Sequence, residues 1–169
     1  KAPAGILWPD WERPVAFLPV EGGEMVGPDG ASKENVIEAS WVAKIVEDIV
    51  NAGEVDVGDI GVITPYAAQV RAIRDILPED LSSMEVKTVD GYQGREKEVI
   101  VFSCVRSNSE GKIGFLSDPR RLNVALTRAK RGLIVIGDPS TLREDENWSA
   151  WLEHAKKHNL EAWHIIGMG

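Results

Sequence analysis

At 169 residues the chain has the length of one ordinary globular domain, and 43% hydrophobic residues suffice for a core. Charged residues make up 27% of it, and no apolar run approaches the length a membrane-spanning helix needs. The net charge of −8 speaks against phosphate binding until its distribution is considered: residues 87–132 hold ten Lys or Arg against five Asp or Glu, a balance of +5 that leaves −13 elsewhere. The opening KAPAGILWPD starts at Lys1 without a secretory pattern, so the chain is read as beginning inside a longer protein. Cys104 is the one cysteine, which excludes an internal disulfide and a cysteine zinc site. A buried thiol in a reducing, intracellular compartment, cytoplasmic or nuclear, is expected.

In chain order, β-branched apolar residues predict a strand over 15–20, and the following GGEMVGPDG, residues 22–30, is expected to be an exposed loop. Val42, Ile45, Val46 and Ile49 mark the apolar face of a first helix. A strand over 60–63 precedes a second helix with Val70, Ile73, Ile76 and Leu77 on one face. Strands are then expected at 86–89 and 99–105, a third helix at 121–130, a strand at 133–136, a helix at 148–158 and a last strand at 162–166. Strands alternating with helices predict an α/β sandwich with a mainly parallel sheet, its ligands beyond the carboxyl ends of the strands.

Three segments carry candidate chemistry. In GVITPYAAQ, residues 61–69, Pro65 ends the strand and leaves Thr64 and Tyr66 at the sheet edge, although an ordinary strand-to-helix turn reads the same way. In VKTVDGYQGREKEVIVFSCVRSN, residues 86–108, Gly91 and Gly94 admit a close ligand while Gln93, Arg95 and Glu96 offer donors and acceptors. A solvated glycine-rich loop is the plain alternative. In DPRRLNVALTRAKRGLIVIGD, residues 118–138, Arg121 and Arg128 stand seven apart, which on one continuous helix places both guanidinium groups on nearly one face. Arginine suits phosphoryl charge because its planar fork bonds two oxygens and stays protonated.

These segments resemble motifs IV, V and VI of superfamily 1 helicases in their chain order, and are similar to the Upf-like and Sen-like group, most strongly over 59–142. The resemblance implies the second, C-terminal RecA-like domain of such a motor, a three-layer α/β fold. ATP with magnesium would sit between this domain and a first RecA-like domain that supplies the P-loop and the acidic magnesium site. The chain itself contains no GxxxxGK[ST] and no Asp-Glu pair ending an apolar strand. By resemblance, Arg128 is the arginine finger, Arg121 supports the same phosphates or holds its helix, and Gly94, Arg95 and Glu96 lie against the nucleotide. Thr64, Pro65, Tyr66, Thr88, Val89 and Asp90 would meet the backbone of single-stranded RNA or DNA, with Arg106 and Asn123 linking the two sites. Translocation would run 5′ to 3′. An arginine and a tyrosine that also touch ATP in the family belong to a segment before this chain begins, so the chain alone should not hydrolyse ATP usefully.

A competing reading is a degenerate helicase-like domain serving as a protein-interaction module, which the acidic remainder of the surface would suit. His154 and His158 stand one helical turn apart, but with His164 as the only other histidine they are too few for a zinc site, and no metal site is expected. Trp41, Trp148, Trp151 and Trp163 are expected to pack the helices and tail rather than stack on bases.

Overall fold

A computed structural model describes residues 1–12, 14–92 and 95–162. Five strands, β1 (Val15–Pro19), a β4 strand (Ile60–Thr64), β5 (Glu85–Thr88), β6 (Lys97–Ser103) and β7 (Ala129–Gly137), form one sheet in the order β1-β7-β6-β4-β5, parallel throughout. Two further strands, β2 (Glu24–Val26) and β3 (Lys33–Asn35), pair antiparallel as a separate ribbon.

The sheet is buried on both faces because its strands alternate between two cores. Leu18, Val62, Val101 and Ile136 point toward α1 (Val36–Asn51) and α2 (Ala67–Ile76), where they meet Val42, Ile45, Ile49 and Ile73. Phe17, Ile63, Phe102 and Val135 point the other way, onto Leu122 and Ala125 of α3 (Pro119–Leu126) and onto Trp148 and Ala155 of α5 (Glu146–Lys157). A short α4 (Pro139–Leu142) follows β7. Burial of side chains on both faces is why these strands read as continuous apolar runs, and the three layers match a RecA-like α/β domain.

Three expectations need correction. Residues 22–30 are not all loop: β2 pairs with β3, and Asp29 Oδ1 closes the hairpin turn by accepting from Ala31 N and Ser32 N. Three-residue strands lack the alternation that reveals longer ones. The third helix starts earlier and stops sooner than 121–130. Asp118 caps it by accepting from the Arg120 and Arg121 amides, Pro119 opens it, and Ala129 already pairs with Lys97 in β7. Arg128 therefore lies beyond α3, and the two arginines do not share a helix face. The second helix ends at Ile76, since Leu77 is held extended before Pro78, and Ile76 is exposed.

At the tail, Glu161 bridges Phe17 and the Ala162 amide bonds Phe17 O, while the rest of the expected strand at 162–166 lies outside the described residues. Trp41, Trp148 and Trp151 pack on the cores as expected, and Trp148 Nε1 donates to Leu116 O. Trp163 lies outside the described residues.

Candidate functional site

All five sheet strands run the same way, so the expected site residues divide between two edges. At the carboxyl edge, β4 and β5 end side by side on Thr64 and Thr88, and the Val89 amide donates to Thr64 O. The chain then turns sharply, with the Gly91 amide on Thr88 Oγ1 and the Tyr92 amide on Thr88 O. Pro65 and Tyr66 open α2 beside this turn. Pro65, Tyr66, Thr88, Val89, Asp90 and Arg121 line one cleft of about 350 Å³, closed on its far side by Asp29 and Ser32 of the β2–β3 hairpin. Its volume falls at the small end of ligand pockets, which run from about 300 to 1,000 Å³. Thr64 lies beneath, fully buried, and its Oγ1 has no hydrogen-bond partner among the described residues.

Arg106 reaches the same edge from the end of β6. Its Nε donates to Glu24 Oε1 at 2.7 Å and Nη1 to the Tyr66 hydroxyl at 2.9 Å, with only 8% of the residue exposed. Burial pushes the Glu24 carboxyl up, but hydrogen bonds from Arg106, Asn108 and the Ser107 amide outweigh it and hold the group below its ordinary range. Arg106 thus steadies Tyr66, the wall of the cleft, rather than lying open to a ligand.

The arginine is aimed by an unusual backbone. Val105 has φ +73, a conformation costly for a β-branched residue, and the Arg106 amide folds back onto Cys104 O in a γ-turn. Buried groups hold this turn: Glu38 Oε1 accepts from the Val105 amide and Ser103 Oγ, and Asn35 Nδ2 donates to Val105 O. Gln69 Nε2 joins them through Ser103 Oγ and Asn35 O. Burial pushes the Glu38 carboxyl up to about 8, helped by the charge of Asp138 and opposed by the bonds from Val105 and Ser103.

At the amino edge, Arg95 and Glu96 precede β6 and Arg128 precedes β7, tied together where the Lys97 amide donates to Arg128 O at 3.0 Å. The Tyr92 hydroxyl donates to Arg95 O. Burial and the charge of Glu85 push that phenol up, against the opposing charges of Arg128 and Arg95, which both stand near it. Arg128 Nε donates to Val124 O in the last turn of α3. Gly94 and Gln93 lie outside the described residues.

The two edges are about 20 Å apart along β6, taking roughly 3.3 Å per residue over Lys97–Ser103. Of the expected residues, Thr64, Pro65, Tyr66, Thr88, Val89 and Asp90 thus lie at the carboxyl edge, and Arg95, Glu96 and Arg128 at the amino edge. Arg121 sits at the carboxyl edge, paired to Asp90 at 3.4 Å and Asp118 at 3.5 Å. Asn123 joins neither, facing a groove of about 210 Å³ with Trp148 and Trp151. Between the edges runs α3, from Arg121 toward Arg128.

Sequence reasoning missed Glu24, Asn35, Glu38 and Phe115. Asn35 and Glu38 show the spacing of a helix-start capping box, and the Asn35 side chain does accept from the Glu38 amide, but the Glu38 carboxyl turns inward instead of back. Phe115 follows a glycine just before the third segment and is 61% exposed at the cleft mouth. The His154 and His158 ring centroids lie 4.4 Å apart with the rings tilted at 54°, His164 lies outside the described residues, and among the described residues no three His, Cys, Asp or Glu side chains cluster to hold a metal ion. No helix among the described residues is long and apolar enough to cross a membrane.

Comparison with known proteins shows the family. The AAA domain family matches residues 3–140. A regulator of nonsense transcripts 1 homolog of Neurospora crassa is 49% identical over 156 residues, covering 88% of this chain and 14% of its own length. The ATP-dependent helicase NAM7 of Saccharomyces cerevisiae is 42% identical over 157 residues, 89% of this chain and 16% of that protein. An uncharacterized ATP-dependent helicase of Methanocaldococcus jannaschii is 46% identical over 145 residues, 86% of this chain and 21% of that protein. The chain spans a small part of each of these relatives. It belongs to the AAA domain family and, within it, to the Upf-like superfamily 1 helicases.

Proposed function

We propose that this chain is the C-terminal motor domain of an ATP-dependent RNA or DNA helicase or translocase. In this reading the amino edge faces ATP across a cleft completed by a first RecA-like domain, and the carboxyl edge carries part of the single-strand surface. The observation that supports it best is the division of the expected residues into two sets at opposite sheet edges, joined by α3. A motor that couples hydrolysis to movement along a strand needs a physical connection between its two ligands, and a packed helix supplies one.

Arg128 acts as the arginine finger, with Gly94, Arg95 and Glu96 against the nucleotide. The charges of Arg95 and Arg128 both reach Tyr92, and arginines are the side chains best suited to polyphosphate oxygens. Magnesium is held by acidic groups of the first domain. Thr64, Pro65, Tyr66, Thr88, Val89 and Asp90 form the strand surface, Arg106 supports it through Tyr66, and movement runs 5′ to 3′. The isolated domain does not turn over ATP at a useful rate.

The test is ATP turnover of the full-length protein with and without single-stranded RNA or DNA, for wild type and Arg128→Ala. Strand-stimulated turnover that falls by about 10³-fold in the variant is expected. Unstimulated wild-type turnover, or a fully active variant, overturns the reading, and the former would favour a helicase-like interaction module instead.

A further inference from the structure

We propose that Phe115 is a stacking platform for a nucleobase at the mouth of the carboxyl-edge cleft, beside the backbone contacts expected of Thr88 and its neighbours. The proposal rests on the reading that this edge meets the strand.

Phe115 occupies a 3-10 turn, Gly114–Ser117, whose neighbours are anchored: Ile113 is 7% exposed and Leu116 fully buried, yet Phe115 is 61% exposed. Its exposure is therefore not that of a loose loop. The ring lies 5.2 Å from the Tyr66 ring at 43°, and Tyr66 is held in turn by Arg106 Nη1. Gly114 permits this approach, since its φ is +54 and a Cβ there would overlap the Tyr66 hydroxyl. The result is a braced aromatic pair with one ring left open toward solvent at the mouth of a cleft.

Charge decides which part of a nucleotide faces Phe115. The charged groups lining the cleft are Asp29, Asp90 and Arg121, and the Arg121 guanidinium is already shared between Asp90 and Asp118. Asp29 is held ionised by bonds from the Ser32 and Ala31 amides. A phosphate placed here meets two carboxylates and a committed cation. A base brings N–H donors that carboxylates accept and a π face that stacks on an aromatic ring, a contact typically worth enough to change affinity about 5- to 100-fold. Stacking tolerates any base, as a motor that moves along a strand requires.

The test compares full-length wild type with Phe115→Ala and Phe115→Trp, binding a single strand that carries 2-aminopurine and a matching strand with abasic positions. Expected are quenched 2-aminopurine emission in wild type and Phe115→Trp, and restored emission with about 5- to 100-fold weaker binding in Phe115→Ala. Abasic positions should weaken wild type but add little to Phe115→Ala. The side chain is exposed, so an unchanged thermal midpoint serves as the folding control. If wild type binds no single strand, the proposed function itself falls. If wild type binds and Phe115→Ala binds equally with the same emission, the stacking role is overturned. Lower turnover in Phe115→Ala with unchanged affinity and emission also overturns it, and assigns the ring to contact with the first motor domain.

Discussion

The Glu38 carboxyl oxygen Oε1 accepts the backbone N–H of Val105 at 2.9 Å, across 67 residues of sequence. This bond joins the first turn of α1 to the strained turn that ends β6, and Arg106 leaves that turn toward Tyr66 and Glu24. A left-handed valine persists only where surrounding groups over-determine it. Here Glu38, Asn35 and Ser103 do so, and the cleft wall inherits its shape from a buried carboxyl group.

Stability should depend on pH through Glu38. Unfolded, it ionises at about 4.5, and folded at about 8. Between these values the folded state keeps a proton that the unfolded state has released, so stability falls as pH rises from about 4.5 to about 8 and levels off above. In Glu38→Gln this component disappears. Urea unfolding across that range should show wild type losing up to about 1.4 kcal/mol per pH unit relative to the variant. Parallel profiles would show that Glu38 stays ionised when folded.

Arg106→Met should destabilise the domain by about 2–3 kcal/mol, because Glu24 is left half-buried without its cation and Tyr66 loses a donor. Glu24→Gln should cost less, since an amide oxygen still accepts from Arg106. Midpoints of urea unfolding give both numbers. Equal losses, or none for Arg106→Met, would mean that the pair contributes little to the edge.

The sheet was legible because β4, β6 and β7 bury side chains on both faces, and α1 because Val42, Ile45, Val46 and Ile49 repeat with helical period. Motif residues at the ends of those strands could be placed for the same reason. What escaped reading depends on distant partners. Glu24 looks like a loop acid until Arg106 arrives from 82 residues away, and Glu38 looks like a solvated cap residue until Ser103 and Val105 close over it. The β2–β3 ribbon is too short and polar to announce itself. The end of α3 escaped because Leu126 and Ala129 continue a helical stripe, while pairing of Ala129 with Lys97 claims that stretch for β7.

Thr64→Val should stabilise the domain by about 1 kcal/mol, since it replaces a buried hydroxyl that has no partner among the described residues with a methyl of similar shape. In the full-length protein the same change should weaken single-strand binding, if the hydroxyl is kept for the strand surface. Thermal unfolding and strand titration on one variant settle both points. A destabilised variant would show that the hydroxyl is satisfied in solution.

Arg121 and Arg128 should behave differently, because the fold puts them at opposite edges. Arg121 is half-exposed and bonded to two exposed carboxylates, a surface arrangement that contributes little to stability, so Arg121→Ala should change it by less than about 0.5 kcal/mol. Its loss makes the cleft more acidic and should weaken strand binding while turnover at saturating strand falls by less than about tenfold. Arg128→Lys should fail to restore turnover, since a point charge cannot reproduce a fork that bonds two phosphate oxygens. Steady-state turnover and strand affinity on the full-length protein separate the two. A collapse of turnover in Arg121→Ala equal to that in Arg128→Ala would assign both arginines to the nucleotide and require the two edges to move together when the first domain closes.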